Sequence, residues 1–252
     1  MEIKAHGLTH VGKQRQHNED AFLVADEAKL YLVADGMGGH AAGEIASRIA
    51  VDSISEFILH TKEDDGTWPH AYDEQYKRST NRLMAAVRMA NTRVLEAMRK
   101  DARLRGMGTT VVACMAEDDT MSVAHVGDSR AYLVREGRLS RLTNDHSWVF
   151  EQVQAGMLTE EEAEKHPLRN VITRALGGAL QVSPDASEVA SKPGDVYLLC
   201  SDGLTGMLPE EEILRVVNEH NDDLERACQE LIDRANERGG LDNVTAILVK
   251  TI

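Results

Sequence analysis

Short apolar stretches rich in β-branched residues recur along the chain, at 21–24, 30–34, 109–115, 120–126, 131–134, 196–200 and 244–249. Their length and composition predict strands. Glu136-Gly137, lying between 131–135 and 138–142, predicts a hairpin turn, so at least part of the sheet is antiparallel. Other segments space their apolar residues as a helix does. Residues 44–60 carry Ile45, Ile49, Ile54, Phe57 and Ile58, and residues 79–103 carry Leu83, Val87, Ala90, Val94 and Met98. Residues 222–238 carry Leu224, Cys228, Leu231 and Ala235, with an Asp cap to open the helix and Gly239-Gly240 to stop it. Residues 66–72 predict a loop between the first two helices. Residues 143–178 break the strand rhythm with Glu160, Glu161, Glu162, Glu164 and His166-Pro167 among few large apolar side chains, which predicts a surface excursion.

Composition narrows the picture. The chain has 252 residues, 42% hydrophobic and 28% charged, which excludes a disordered or collagen-like chain and leads us to expect one domain over 1–252. Its 42 acidic against 28 basic residues give a net charge of −14, the wrong sign for a nucleic-acid or anionic-membrane surface. No apolar run nears the roughly 20 residues that cross a bilayer. The first twenty residues lack a signal-peptide core, and Cys114, Cys200 and Cys228 form no CxxC pair. A cytoplasmic protein is expected.

The carboxylates carry the chemistry. The run 30–34 leads into Asp35-Gly36, 196–201 into Asp202-Gly203, and 123–127 into Asp128, while Glu19-Asp20 and Asp242-Asn243 stand just before strands. Asp-Gly is also ordinary turn chemistry, and at any single position that reading suffices. Five acidic positions at strand ends shift the weight, because antiparallel neighbours gather starts and ends at one edge. Two carboxylates about 4 Å apart repel by roughly 4 kcal/mol at an effective dielectric of about 20, which is tolerable only with cations between them. All-oxygen donors select hard divalent ions, Mg²⁺ or Mn²⁺, and point to a two-metal centre.

The motifs Arg15-Gln16-His17-Asn18-Glu19-Asp20, Asp35-Gly36-Met37-Gly38-Gly39, Gly106-Met107-Gly108-Thr109-Thr110, Val126-Gly127-Asp128-Ser129-Arg130, Ser201-Asp202-Gly203-Leu204 and Asp242-Asn243-Val244-Thr245 resemble, in order and spacing, those of the metal-dependent type 2C (PPM) serine/threonine protein phosphatases. His166-Pro167 and residues 170–177 resemble the flap region of the bacterial branch. The resemblance implies an α+β fold, a central antiparallel β-sandwich flanked by helices on both faces, in α-β-β-α layers, with a small flap subdomain at about 143–178. It implies that Asp35 bridges two Mn²⁺ or Mg²⁺ ions, that the Gly36 carbonyl adds a ligand to one, and that Asp202 and Asp242 hold the other. Glu19 and Asp20 would act through metal-bound water, and Asp128 with Asp202 would hold a third, weaker ion. Arg15 would clamp the substrate phosphate through bidentate donation. Metals would acidify a bridging water for in-line attack on phosphorus, with no phosphoenzyme. The implied partners are phosphorylated proteins, including a Ser/Thr kinase and its substrates, with the chain acting as a monomer. One position departs from eukaryotic relatives: Met37 stands where they often carry a histidine. His40, three residues on, is then the candidate general acid, acting through water, or an exposed residue with no catalytic part.

Other signatures are weaker. Residues 36–41 fit GxGxxG/A with Glu56 about 20 residues on, but Asp35 would face the pyrophosphate and an antiparallel hairpin opposes the parallel sheet required. Cys228 and Arg234 have Cys-x5-Arg spacing, yet no glycine lies between them and Cys228 falls on an apolar helix stripe, so it reads as core. A non-catalytic phosphoprotein-binding module is the rival of a different class, separable by Mn²⁺-dependent phosphate release.

Overall fold

The structure is a computed structural model that describes residues 1–38, 42–61 and 72–252. In chain order the strands are β1 Ile3–His10, β2 Asp20–Ala25, β3 Leu30–Met37, β4 Gly108–Thr109, β5 Val111–Glu117, β6 Thr120–Val126, β7 Arg130–Arg135, β8 Arg138–Arg141, β9 Asp185–Ala190, β10 Val196–Cys200 and β11 Val244–Thr251. The α-helices are α1 Ala42–His60, α2 Arg78–Lys100, α3 Trp148–Gln154, α4 Glu160–Glu164, α5 Asp202–Thr205, α6 Glu210–Glu219 and α7 Leu224–Glu237. One sheet runs β1-β11-β10-β7-β8 and the other β2-β3-β5-β6-β9, with β4 paired to β3. All the pairings are antiparallel.

The alternation of side chains along a strand explains the layers. Tyr31 and Val33 of β3 point between the sheets, where they meet Tyr197, Leu199, Ile247 and Val249. Their neighbours Leu30, Leu32 and Ala34 point outward and are covered by Ile54 of α1 and Leu83 and Val87 of α2. On the far side, Leu198, Cys200, Ala246 and Leu248 face Ile213 of α6 and Cys228 and Leu231 of α7. Strands buried on both faces have no polar alternation, which is why 30–34 and 196–200 read as unbroken apolar runs. The α-β-β-α sandwich expected above is the fold observed.

Local chemistry sets the boundaries. Glu136 and Gly137 both take positive φ, 53° and 72°, as the tight hairpin turn between β7 and β8 demands. The stretch 109–115 is divided at Thr110 into β4 and β5. Helix α2 stops at Lys100, short of the expected 103, because Asp101 turns extended and its carboxylate accepts the Arg103 N–H to start a 3-10 turn. The cap of α7 is Asp223, which accepts from the Arg226 N–H; Asp222 instead bonds Lys250 Nζ at 2.9 Å. Residues 143–178 carry α3 and α4 as a largely exposed excursion tied at its base, where Ser147 bridges Ile172 and Leu176 bridges Thr109. Of the expected loop at 66–72, only Tyr72 lies among the described residues. Among those residues no helix is long and apolar enough to cross a membrane.

Candidate active site

Antiparallel register brings the scattered acids together. Asp20 opens β2 directly opposite Asp35 of β3, so a strand start meets a strand end. Asp35 is not the last residue of its strand, as the sequence suggested: β3 continues through Gly36 and Met37, which pair with Thr109 and Gly108 of β4. In the other sheet the Ser201 N–H donates to the Thr245 carbonyl at 3.1 Å, which brings Asp202 at the head of α5 beside Asp242 in front of β11. Two glycines make this crowding possible. A Cβ on Gly36 would lie 2.2 Å from the Gly43 carbonyl oxygen and 2.5 Å from that of Glu19, and a Cβ on Gly203 would lie 1.9 Å from the Asn243 carbonyl oxygen.

The result is a cleft of about 500 Å³ lined by Arg15, Glu19, Asp35, Gly36, Asp202 and Asp242, with Asn170 and Ile172 of the 143–178 excursion on its rim. Asp20 is buried in the floor. Asp128 follows Gly127, whose φ of 105° turns the chain at the end of β6, and its charge is felt by Asp35. The acids that the sequence placed beside strand ends, Glu19, Asp20, Asp35, Asp128, Asp202 and Asp242, are therefore neighbours in space or in charge. His40 lies outside the described residues.

The electrostatics are those of a site short of positive charge. Burial, then repulsion from Asp202 and Asp242, outweighs two hydroxyl hydrogen bonds and pushes Asp20 up to about 7. Burial with repulsion from Asp202 and Asp145 does the same to Asp128, also to about 7. Asp35 is raised well above the usual carboxylate range by burial and by Asp20, Asp202, Asp128 and Asp242. Asp202 is raised by burial and by Asp242, and Glu19 by burial against the opposing pull of Arg15. One carboxylate oxygen, Asp20 Oδ1, is buried with no hydrogen-bond partner. A buried orphan oxygen among mutually repelling carboxylates fits a hard divalent cation.

Arg15 is the cation at the mouth. Its Nη2 donates to Asp242 Oδ2 at 2.6 Å, with half of the side chain exposed. Burial alone would lower its pKa, but the attraction and hydrogen bond of Asp242, with Glu19 and Asp35 behind it, raise it. The loop carrying Arg15 is stapled by a residue to which sequence reasoning gave no role. Asn243 accepts the Glu19 N–H through Oδ1 at 2.8 Å and donates through Nδ2 to the carbonyls of Val11 and His17 at 2.9 and 3.0 Å. Ser47 of α1 adds a hydrogen bond to the Glu19 carbonyl at 2.6 Å. The signal available for Asn243 was its place beside Asp242; Ser47 had none.

A family model described as protein phosphatase 2C matches residues 7–249. The chain belongs to that family. It is 37% identical over 250 residues to the serine/threonine phosphatase stp of Listeria monocytogenes, covering 96% of this chain and 93% of that protein. The crystal structure of the serine/threonine phosphatase PstP/Ppp of Mycobacterium tuberculosis superposes with a TM-score of 0.86 at 35% identity, covering 99% of this chain and 98% of that one. A structure of the PstP catalytic domain in complex with two manganese ions gives a TM-score of 0.84 at 33% identity, covering 98% and 97%. In this type 2C chain the acidic cleft is built by its own strand register.

Proposed function

We propose that this protein is a metal-dependent serine/threonine phosphatase that removes phosphate from phosphoserine and phosphothreonine side chains of proteins. The observation that carries the reading is the cleft itself: acids gathered by the register of both sheets around a buried, unpartnered oxygen of Asp20, with Arg15 at the opening. Asp35, the Gly36 carbonyl, Asp202 and Asp242 would hold two Mn²⁺ or Mg²⁺ ions, with Glu19 and Asp20 in the surrounding acidic shell and Asp128 with Asp202 at a third, weaker position. Such ions, when bound, make coordinated water a nucleophile near neutral pH and offset the charge on phosphoryl oxygens.

The chain's own residues supply the rest. Arg15 presents a guanidinium suited to two phosphoryl oxygens at once, at a mouth it shares with Glu19, Asp35, Asp202 and Asp242. Only Nη2 is engaged by Asp242, so the remaining N–H donors of the guanidinium are left for a phosphate. A cleft carboxylate accepts the proton that the attacking water gives up, and the leaving seryl or threonyl oxygen takes up a proton from solvent as its bond to phosphorus breaks. Asn170 and Ile172 contact the peptide around the phosphorylated residue, and the open side of the cleft admits a protein rather than a small metabolite alone. No cysteine competes as nucleophile: all three are buried, and burial pushes the thiols of Cys200 and Cys228 up to about 12. Water is the attacking species, so no phosphoenzyme forms. The substrates are phosphoproteins made by a Ser/Thr kinase, and the chain acts on them as a cytoplasmic monomer. The test is Mn²⁺-dependent release of phosphate from a phosphothreonine peptide. The expected result is turnover by the native protein and none by folded Asp35→Ala or Asp202→Ala; normal turnover in both variants overturns the assignment.

A further inference from the structure

The two carboxylate oxygens of Asp20 have unequal surroundings. Oδ2 accepts hydroxyl protons from Thr245 Oγ1 at 2.6 Å and from Ser201 Oγ at 2.8 Å. Oδ1 is buried and has no partner. With Asp20 ionised, as it is beside a bound cation, the direction of every proton in this network is fixed. The Thr245 backbone N–H donates to Ser201 Oγ at 3.0 Å, which leaves the Ser201 proton for Asp20. Thr245 Oγ1 gives its single proton to Asp20, so in its 2.7 Å contact with Thr9 Oγ1 it is the acceptor. Thr9 accepts in turn from Asn18 Nδ2 at 2.9 Å, and Asn18 Oδ1 accepts the backbone N–H of Asp20 at 3.2 Å. The hydrogen bonds close a ring from Asn18 through Thr9 and Thr245 to Asp20 and back to Asn18.

Strand formation does not require these hydroxyls. Thr9 and Thr245 are direct partners across β1 and β11, where valine would satisfy the same backbone pairing and fill nearly the same space. Ser201 and Thr245 are fully buried, so their polar atoms need partners, and both direct a proton to the same oxygen of the same carboxylate. Gripping one oxygen with two donors fixes the plane and rotation of the group and leaves the other oxygen uncommitted.

We propose that Thr245 and Ser201 are positioning residues for the phosphatase reaction. They hold Asp20 through Oδ2 so that Oδ1 is offered to the divalent-cation site, while Thr9 and Asn18 fix the direction in which Thr245 donates. This rests on the reading of Asp20 and its neighbours as a cation site. Groups in the shell around the metal ligands commonly contribute about 10- to 100-fold in metal affinity, and Asp20 stands in that shell with its orientation set by Thr245 and Ser201.

The experiment is calorimetric titration of Mn²⁺ into the chelator-stripped full chain, with thermal melts of the metal-free proteins alongside. Thr245→Val removes the hydroxyl and keeps the shape, Thr245→Ser keeps the hydroxyl and loses the methyl, and Ser201→Ala removes the second donor. Mn²⁺ affinity is expected to fall about tenfold or more in Thr245→Val and in Ser201→Ala, while Thr245→Ser stays within about threefold of the native protein. Native affinity in Thr245→Val and Ser201→Ala overturns the proposal. So does an equal loss in Thr245→Ser and Thr245→Val, which would assign the effect to packing. Should Thr245→Val not fold, Ser201→Ala decides alone. Asp35→Ala separates the two levels. If it loses Mn²⁺ while Thr245→Val and Ser201→Ala do not, only the positioning role falls; if it binds as the native protein does, the cation site falls and the positioning role with it.

Discussion

Replacing Asp20 by asparagine is expected to make the metal-free protein more stable, and the gain should depend on pH. The folded protein raises the Asp20 carboxyl from its ordinary 3.8 to about 7. A folded pKa above the unfolded one means that the protonated group favours the folded state. That contribution is fully present below about pH 3.8 and is lost as pH rises through about 7. At pH 8 the ionised carboxylate therefore costs the folded chain about 4 kcal/mol, from roughly three pKa units at 1.36 kcal/mol each. Asparagine keeps an oxygen for the hydroxyls of Thr245 and Ser201 and removes the charge. At pH 5 the unfolded carboxyl is only about one unit past its midpoint, so the gain shrinks to roughly 2 kcal/mol. Groups that Asp20 does not perturb, His146 among them, cancel in the comparison, while Asp35, which the Asp20 charge pushes up, is relieved in the asparagine protein and adds to the gain at high pH. For a chain of this size about 4 kcal/mol corresponds to a melting shift of roughly 8–16 °C. The assay is thermal unfolding of both proteins in EDTA at pH 8 and pH 5. An Asp20→Asn protein that melts below the native one at pH 8, or a difference that does not change with pH, refutes the reasoning.

Further outcomes follow from the same contacts. Arg15→Ala should raise KM for a phosphothreonine peptide about 10- to 100-fold, the size of one charge-assisted contact, and Arg15→Lys should restore only part of it because an ammonium cannot donate in a planar fork; unchanged kinetics in Arg15→Ala would remove the clamp. Asn243→Ala deletes three hydrogen bonds that hold the loop from Val11 to Glu19. It should lower stability by about 2–3 kcal/mol and raise KM, measured by denaturant melts and steady-state kinetics; a stability loss with native KM would separate the staple from the placement of Arg15. Gly36→Ala forces a Cβ against two carbonyl oxygens at 2.2 and 2.5 Å. It should yield little folded protein, and a native melting temperature would show that the crowding is not real.

The layers were legible because both sheets are covered on both faces. Strands such as β3 and β10 are unbroken apolar runs, and the helices over them keep a clear stripe. The edge strands β1 and β9 were not predicted. Lys4, His6 and Thr9, or Asp185, Ser187 and Glu188, sit half-buried or exposed at sheet margins, where nothing demands an apolar side chain. Helix α6 was missed because its start, Glu210-Glu211-Glu212 after Pro209, hides a short apolar stripe of Ile213, Val216 and Val217. The acids of the cleft were legible from their places beside strands. The polar residues that orient them were not, since Thr9, Asn18, Ser201 and Thr245 become a network only when β1, β10 and β11 lie side by side.

Anomalous scattering at the manganese edge, from crystals grown with Mn²⁺, addresses the central claim most directly. Two strong peaks in the cleft among Asp35, Asp202 and Asp242, weakened or lost in Asp35→Ala, are the predicted result. Saturating Mn²⁺ with no peak in the cleft, or peaks that persist unchanged in Asp35→Ala, would contradict it.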